Sequence, residues 1–149
     1  MSMQVPKYFT LKEMTTTSTK LPNMPETWAE FITLRETTLA LDQIREAYGQ
    51  AIRVTSGFRT ESVNTSVGGS KTSAHRKGMA VDIQPYKNTK ANMDALMRLL
   101  RLNIQNYNID QLIIYTADGK DPLATNQAVK WIHVGFAVKP RGQLIFKKG

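Results

Sequence analysis

Apolar positions recur in two long helical rhythms, separated by shorter stretches in which apolar and polar residues alternate. Residues 25–49, PETWAEFITLRETTLALDQIREAYG, carry Trp28, Phe31, Ile32, Leu34, Leu41, Ile44 and Tyr48 largely at spacings of three and four. That pattern predicts one helix with a single buried stripe. Pro25 suits its first turn, Glu26 its positive end, and Gly49 its C-terminal stop. Residues 88–108 repeat the rhythm with Met93, Leu96, Met97, Leu100, Ile104 and Tyr107, and Asn88 or Thr89 supplies the N-cap. A short helix bearing Leu11 and Met14 precedes both, followed by a polar loop over 14–26. AIRV opens a strand that turns at Ser56-Gly57, SVNTSVGG predicts a short helix stopped by Gly68-Gly69, and MAVDIQ predicts a strand ended by Pro85. DQLIIY and WIHVGFAV follow as strands around a loop with a turn at Asp118-Gly119, and QLIFKK closes the chain as an edge strand guarded by lysines. This order predicts an α+β fold, an antiparallel sheet with helices packed on one face.

Length and composition narrow the reading. A chain of 149 residues, 41% hydrophobic, is long and apolar enough for one domain over 1–149 with its own core, expected to act as a monomer. It has no apolar run of about 18 residues, so no membrane-spanning helix is expected. The absence of cysteine removes disulfides, thiolate metal sites and cysteine nucleophiles. A metal would have to be held by carboxylates and the two histidines, His75 and His133. A net charge of +8 favours polyanions such as nucleic acid, anionic membranes or cell-wall polymers, or simply keeps the surface soluble. The basic residues are scattered apart from Lys139, Arg141, Lys147 and Lys148, and no recognition motif points to a specific nucleic acid.

Strand alternation then singles out candidate chemistry. Successive side chains point to opposite faces of a sheet, so Val81 and Ile83 share one face while Ala80, Asp82 and Gln84 share the other. By the same rule Ile132, Val134 and Phe136 oppose Trp131, His133 and Gly135. If the apolar sets face the helices, Asp82 and His133 meet on the open face, and the loop bearing His75 folds over it. The trio is a candidate Zn²⁺ site: zinc takes imidazole nitrogen and carboxylate oxygen at about 2.0–2.2 Å, and three protein ligands leave a fourth position for water. A coordinated cation would also account for an aspartate set between Val81 and Ile83. Spacing alone also allows hydrogen-bonded structural histidines and a solvated aspartate, the commoner use of such residues.

SGFR, VNTSVGGSKTSAHRKGMAVDI and WIHVGF together resemble the zinc D-alanyl-D-alanine carboxypeptidase family, which includes phage endolysins. Its pattern, Ser-x-His-x-x-Gly-x-Ala-x-Asp and later Trp-x-His, is met by Ser73, His75, Gly78, Ala80, Asp82, Trp131 and His133. FTLKEM, LPNMP, IREAYG and IRVTSGFR extend the likeness over nearly the whole chain. The resemblance implies the fold shared with hedgehog signalling domains. It also implies one zinc held by His75, Asp82 and His133, and hydrolysis of peptidoglycan peptide stems by a zinc-activated water, as carboxypeptidase or endopeptidase. Arg59 falls where the family holds substrate and polarises the scissile carbonyl, a task suited to a planar, always-charged guanidinium; otherwise it forms a surface ion pair. Ser73 either binds substrate or ligand or caps a turn, and Trp131 either lines the cleft or packs. The N-terminus MSMQVPKYFT lacks the apolar core of a secretory signal. The expected setting is a bacterial cytoplasm, or a phage product released on lysis or carried in the virion.

One part of the family pattern is missing. Its glutamate base stands at the end of a Gln-Leu-Ile-x-Glu strand or three residues before the second histidine. Here those positions hold Tyr115 and Lys130. Tyr115 is expected to point into the cleft, but a phenol of pKa about 10 is a poor base at neutral pH. Asp118, or else Asp121, is the candidate base if its loop bends back. The alternative is a catalytically weak or inactive zinc-bearing module that binds cell wall.

Overall fold

The computed structural model describes residues 4–149. Thr10 caps the short helix α1 (Leu11–Met14), and Thr27 caps α2 (Trp28–Tyr48) with Glu30 completing a reciprocal capping box. Gly49, at φ 79°, ends α2 as expected. Strand β1 (Ile52–Ser56), helix α3 (Glu61–Ser66), a 3₁₀ turn over Ala74–Lys77 and β2 (Ala80–Pro85) follow. Then come α4 (Lys90–Leu102), β3 (Ile109–Thr116), the single-turn α5 (Pro122–Thr125), β4 (Val129–Phe136) and β5 (Gln143–Lys148).

The five strands form one sheet in the order β1-β2-β4-β3-β5. The fold is α+β as expected, but the sheet is mixed: β1, β2, β4 and β3 are antiparallel neighbours, whereas β5 runs parallel to β3. After β4 the chain crosses the start of β3, where Gly142 N–H donates to Ile109 O and Arg141 N–H to Asp110, and so enters β5 from the same end as β3. One sheet face carries Val81, Ile83, Leu112, Ile114, Ile132 and Val134. These residues pack against Leu34, Leu41 and Ile44 of α2 and Met93, Leu96, Met97 and Leu100 of α4 in one continuous core. The opposite face is left for the site.

Two helical expectations need correction. Trp28 and Ile32 are 79% and 53% exposed rather than part of the buried stripe of α2. The buried face of α2 runs through Leu34, Thr37, Thr38, Leu41 and Ile44, with the threonine hydroxyls donating to Gly78 O and Leu34 O. The second long helix stops at Leu102 rather than reaching 108. Asn103 donates to Leu99 O, Asn106 donates to Asn103, and Asn108 adopts φ 52°, so side-chain hydrogen bonds compete with helix continuation. Ile104 and Tyr107 still pack on the core from the turns beyond. No described helix is long and apolar enough to cross a membrane.

Candidate metal centre

The antiparallel register of β2 and β4 sets Asp82 directly opposite His133, and Ile113 of β3 lies beyond His133. His75 reaches the same face from the 3₁₀ turn. Ser73 starts that turn, its hydroxyl accepting from His75 N–H, and Gly78 ends it at φ 73°. A Cβ on Gly78 would press within 3.3 Å of Leu34, so the turn sits tight on α2. Arg76 pairs with Glu30 at 2.7 Å, and Arg59 N–H donates to His75 O.

His75 Nε2 lies 3.2 Å and His133 Nδ1 3.0 Å from the same oxygen of Asp82. Potential ligand atoms of the three residues all lie within 4.8 Å of one another. His75 and Asp82 are buried, 3% and 9% exposed. The donor set fits a metal on its hydrogen bonding. His75 Nδ1 stands 2.8 Å from Gly57 O, a carbonyl that only accepts, so Nδ1 carries the proton. In a neutral ring Nε2 then presents a lone pair to a carboxylate oxygen, and two acceptors at that distance call for a proton or a metal cation between them. This is also how an outer hydrogen bond orients a ligating imidazole. Where protons rather than a metal bridge these contacts, burial pushes the Asp82 carboxyl up, but hydrogen bonds from His133 and His75 outweigh it and hold the group well below the usual carboxylate range. Gly135 gives the His133 ring room, since a Cβ there would lie 3.2 Å from Nε2.

The trio lies in a cleft of about 700 Å³ that Arg59, Ser73, Tyr115 and Trp131 also line. The guanidinium of Arg59 is held by Ser56 at 2.9 Å and lies 3.5 Å from Asp82. Burial lowers the Arg59 pKa and the Asp82 charge opposes the shift; an arginine stays charged throughout. The rings of Tyr115 and Trp131 stack at 4.4 Å, as neighbours across β3 and β4. Burial, and then the Asp82 charge, push the Tyr115 phenol above its ordinary value, so at neutral pH it donates a proton in hydrogen bonds and does not act as a base.

Asp118 does not join the cleft. Its carboxylate accepts from Lys120 N–H and Gln127 at the Asp118-Gly119 turn, the work of an aspartate in a turn. Asp121 caps α5 and holds Arg101 with both oxygens. Lys130 bonds Gly149 O. Among the described residues the cleft is lined by just two acids, Asp82 and Asp110. Asp110 takes a two-pronged contact from Arg141 at 2.9 and 2.8 Å.

Several supports escaped the sequence reading. Asn23 is buried in the polar loop, where it donates to Thr15 O and Phe58 O and accepts from Thr60 N–H, stitching down the turn that carries Arg59. Gly57 must be glycine because a Cβ would lie 2.3 Å from Met14 O. Nothing in local pattern signals either contact. Asp110 was detectable in part, as an acid inside an apolar strand, but Arg141 lies 31 residues away.

A family model described as Peptidase M15 matches residues 7–114. The matched span contains Arg59, Ser73, His75 and Asp82 and ends before Tyr115, Trp131 and His133. No curated protein matches the sequence at a significant level.

Proposed function

Because this chain belongs to the Peptidase M15 family, a zinc-dependent family of peptidases acting on cell wall, we propose that it cleaves the peptide stems of bacterial peptidoglycan, as a carboxypeptidase or endopeptidase. The observation that carries the reading is the convergence of His75 Nε2 and His133 Nδ1 on one oxygen of the buried Asp82. Zinc at that point would polarise a substrate carbonyl and acidify a water. Arg59, charged and flanking Asp82, is suited to hold the substrate's carbonyl or carboxylate oxygen. Tyr115 offers a hydrogen-bond donor toward developing negative charge, and its stack with Trp131 forms an apolar wall. Ser73 caps the His75 turn, so its contribution is to position that ligand. Synthesis in a bacterial cytoplasm, or as a phage product released on lysis, suits this role.

The zinc-loaded protein is expected to release fragments from purified walls, and to lose that ability with a chelator or with His133→Ala. Cleavage that survives both treatments rules the mechanism out. One observation favours a second reading, a zinc-bearing module that binds wall and cuts weakly: both acids of the cleft are engaged, and none is free to collect a proton. That reading predicts sedimentation with walls without released fragments, and faster cleavage after Tyr115→Glu. Rapid cleavage by the wild type, slowed by Tyr115→Glu, dismisses it.

A further inference from the structure

Four cations, Arg59, Lys77, Arg141 and Lys147, line the cleft beside Asp82 and Asp110. Arg59 and Arg141 face those two acids. Lys77 and Lys147 have no carboxylate partner among the described residues. Lys77 sits two residues from His75 on the 3₁₀ turn, whereas Lys147 stands at the far side, on the edge strand. The register of β5 pairs Lys147 with Tyr115, Ile145 with Ile113 and Gln143 with Gln111, while Phe146 packs toward the core. A row of paired positions therefore crosses three strands: Trp131, Tyr115 stacked on it, then Lys147. An edge lysine can serve only to discourage strand pairing. Of the two edge lysines, Lys147 and Lys148, it is Lys147 that lines the cleft.

We propose that Lys147 anchors a carboxylate of the bound peptide, so that the cleft selects acidic peptides. This rests on the peptidase reading above. Lys147 lies two strands over and two residues along from His133. At about 4.8 Å per strand and about 3.4 Å per residue, their backbones are about 12 Å apart. The lysine side chain spans part of that distance. An extended peptide advances about 3.4 Å per residue, so the anchored carboxylate belongs two or three residues from the bond presented to the metal centre.

The test uses zinc-loaded full-length protein at low ionic strength and two synthetic stem peptides. One carries a free carboxylate two residues from the scissile bond, and its twin carries a carboxamide there. Binding is measured by calorimetry with the scissile amide N-methylated, and cleavage separately with the unmodified pair. Wild type is expected to bind the carboxylate form about tenfold more tightly, as one charge-assisted hydrogen bond allows. Lys147→Gln should erase the preference and Lys147→Arg should keep it; in cleavage the difference should fall on KM rather than kcat. Equal binding of the twins by wild type, or a preference that survives Lys147→Gln, overturns the proposal. A preference that Lys147→Gln erases, without cleavage, upholds the role of Lys147 and removes the peptidase reading. Cleavage without a preference does the reverse.

Discussion

Asp82 has three partners, and each constrains it differently. His75 and His133 share one of its oxygens, while Arg59 approaches the other. The resulting low pKa keeps it an anion well below neutrality, the form a cation needs. Space around the trio matters as much as charge: Gly135→Ala should push the His133 ring aside and weaken zinc binding about tenfold by calorimetry, the scale of lost outer-shell support. Asp110 supplies a pH test. The hydrogen bonds from Arg141 hold its carboxyl below the usual range. A depressed folded-state pKa gives stability that is present above the unfolded value of about 3.9 and is lost as pH falls through the folded value. Asp110→Asn should therefore be less stable than wild type at pH about 7, with the difference in urea midpoints closing toward pH about 2. The pairing of Asp82 with His133 was legible because alternation fixes the face of a strand residue. The place of Asp118 was not, because turn hydrogen bonds that engage its carboxylate depend on where Lys120 and Gln127 fall in space.

Among the elements, α2 and the 3₁₀ turn are coupled through Glu30. One of its oxygens accepts from Glu26 N–H and Thr27 N–H at the head of α2, and the other takes Arg76 beside His75. Thr37 adds a bond from α2 to Gly78 O. Two variants separate the roles. Thr27→Ala removes the cap alone and should cost about 1 kcal/mol with zinc affinity unchanged. Arg76→Ala leaves the cap and should weaken zinc binding severalfold, because the turn carrying His75 loses its tie. Equal zinc affinities for both variants would deny the coupling. Helix positions and most strands were legible from periodicity and caps, yet the direction of β5 was not. It depends on a crossing fixed by Arg141 and Asp110, and no local pattern reports it. The apolar rhythm likewise overstated the buried stripe of α2, since at about 100° per residue Trp28 and Ile32 fall on the side of the helix away from Leu34, Leu41 and Ile44.

For the molecule as a whole, helices cover one sheet face and leave the other to a cleft whose unpaired charges are positive, in keeping with a net charge of +8. Retention on anionic cell walls should fall as salt rises from about 0.1 to about 1 M, where the screening length shrinks from about 10 to about 3 Å. Retention indifferent to salt would place binding on apolar contacts instead. The triad's topology was readable because three motifs fell on two adjacent strands and one glycine-bounded turn. The cleft's far wall was not, because β5 contributes to it only through the parallel pairing. Zinc-edge anomalous scattering from crystals of the zinc-loaded protein addresses the core of this picture. It should give one strong peak bonded to His75 Nε2, an Asp82 oxygen and His133 Nδ1 at about 2.0–2.2 Å. A map with no peak among those three side chains, under saturating zinc, would contradict it.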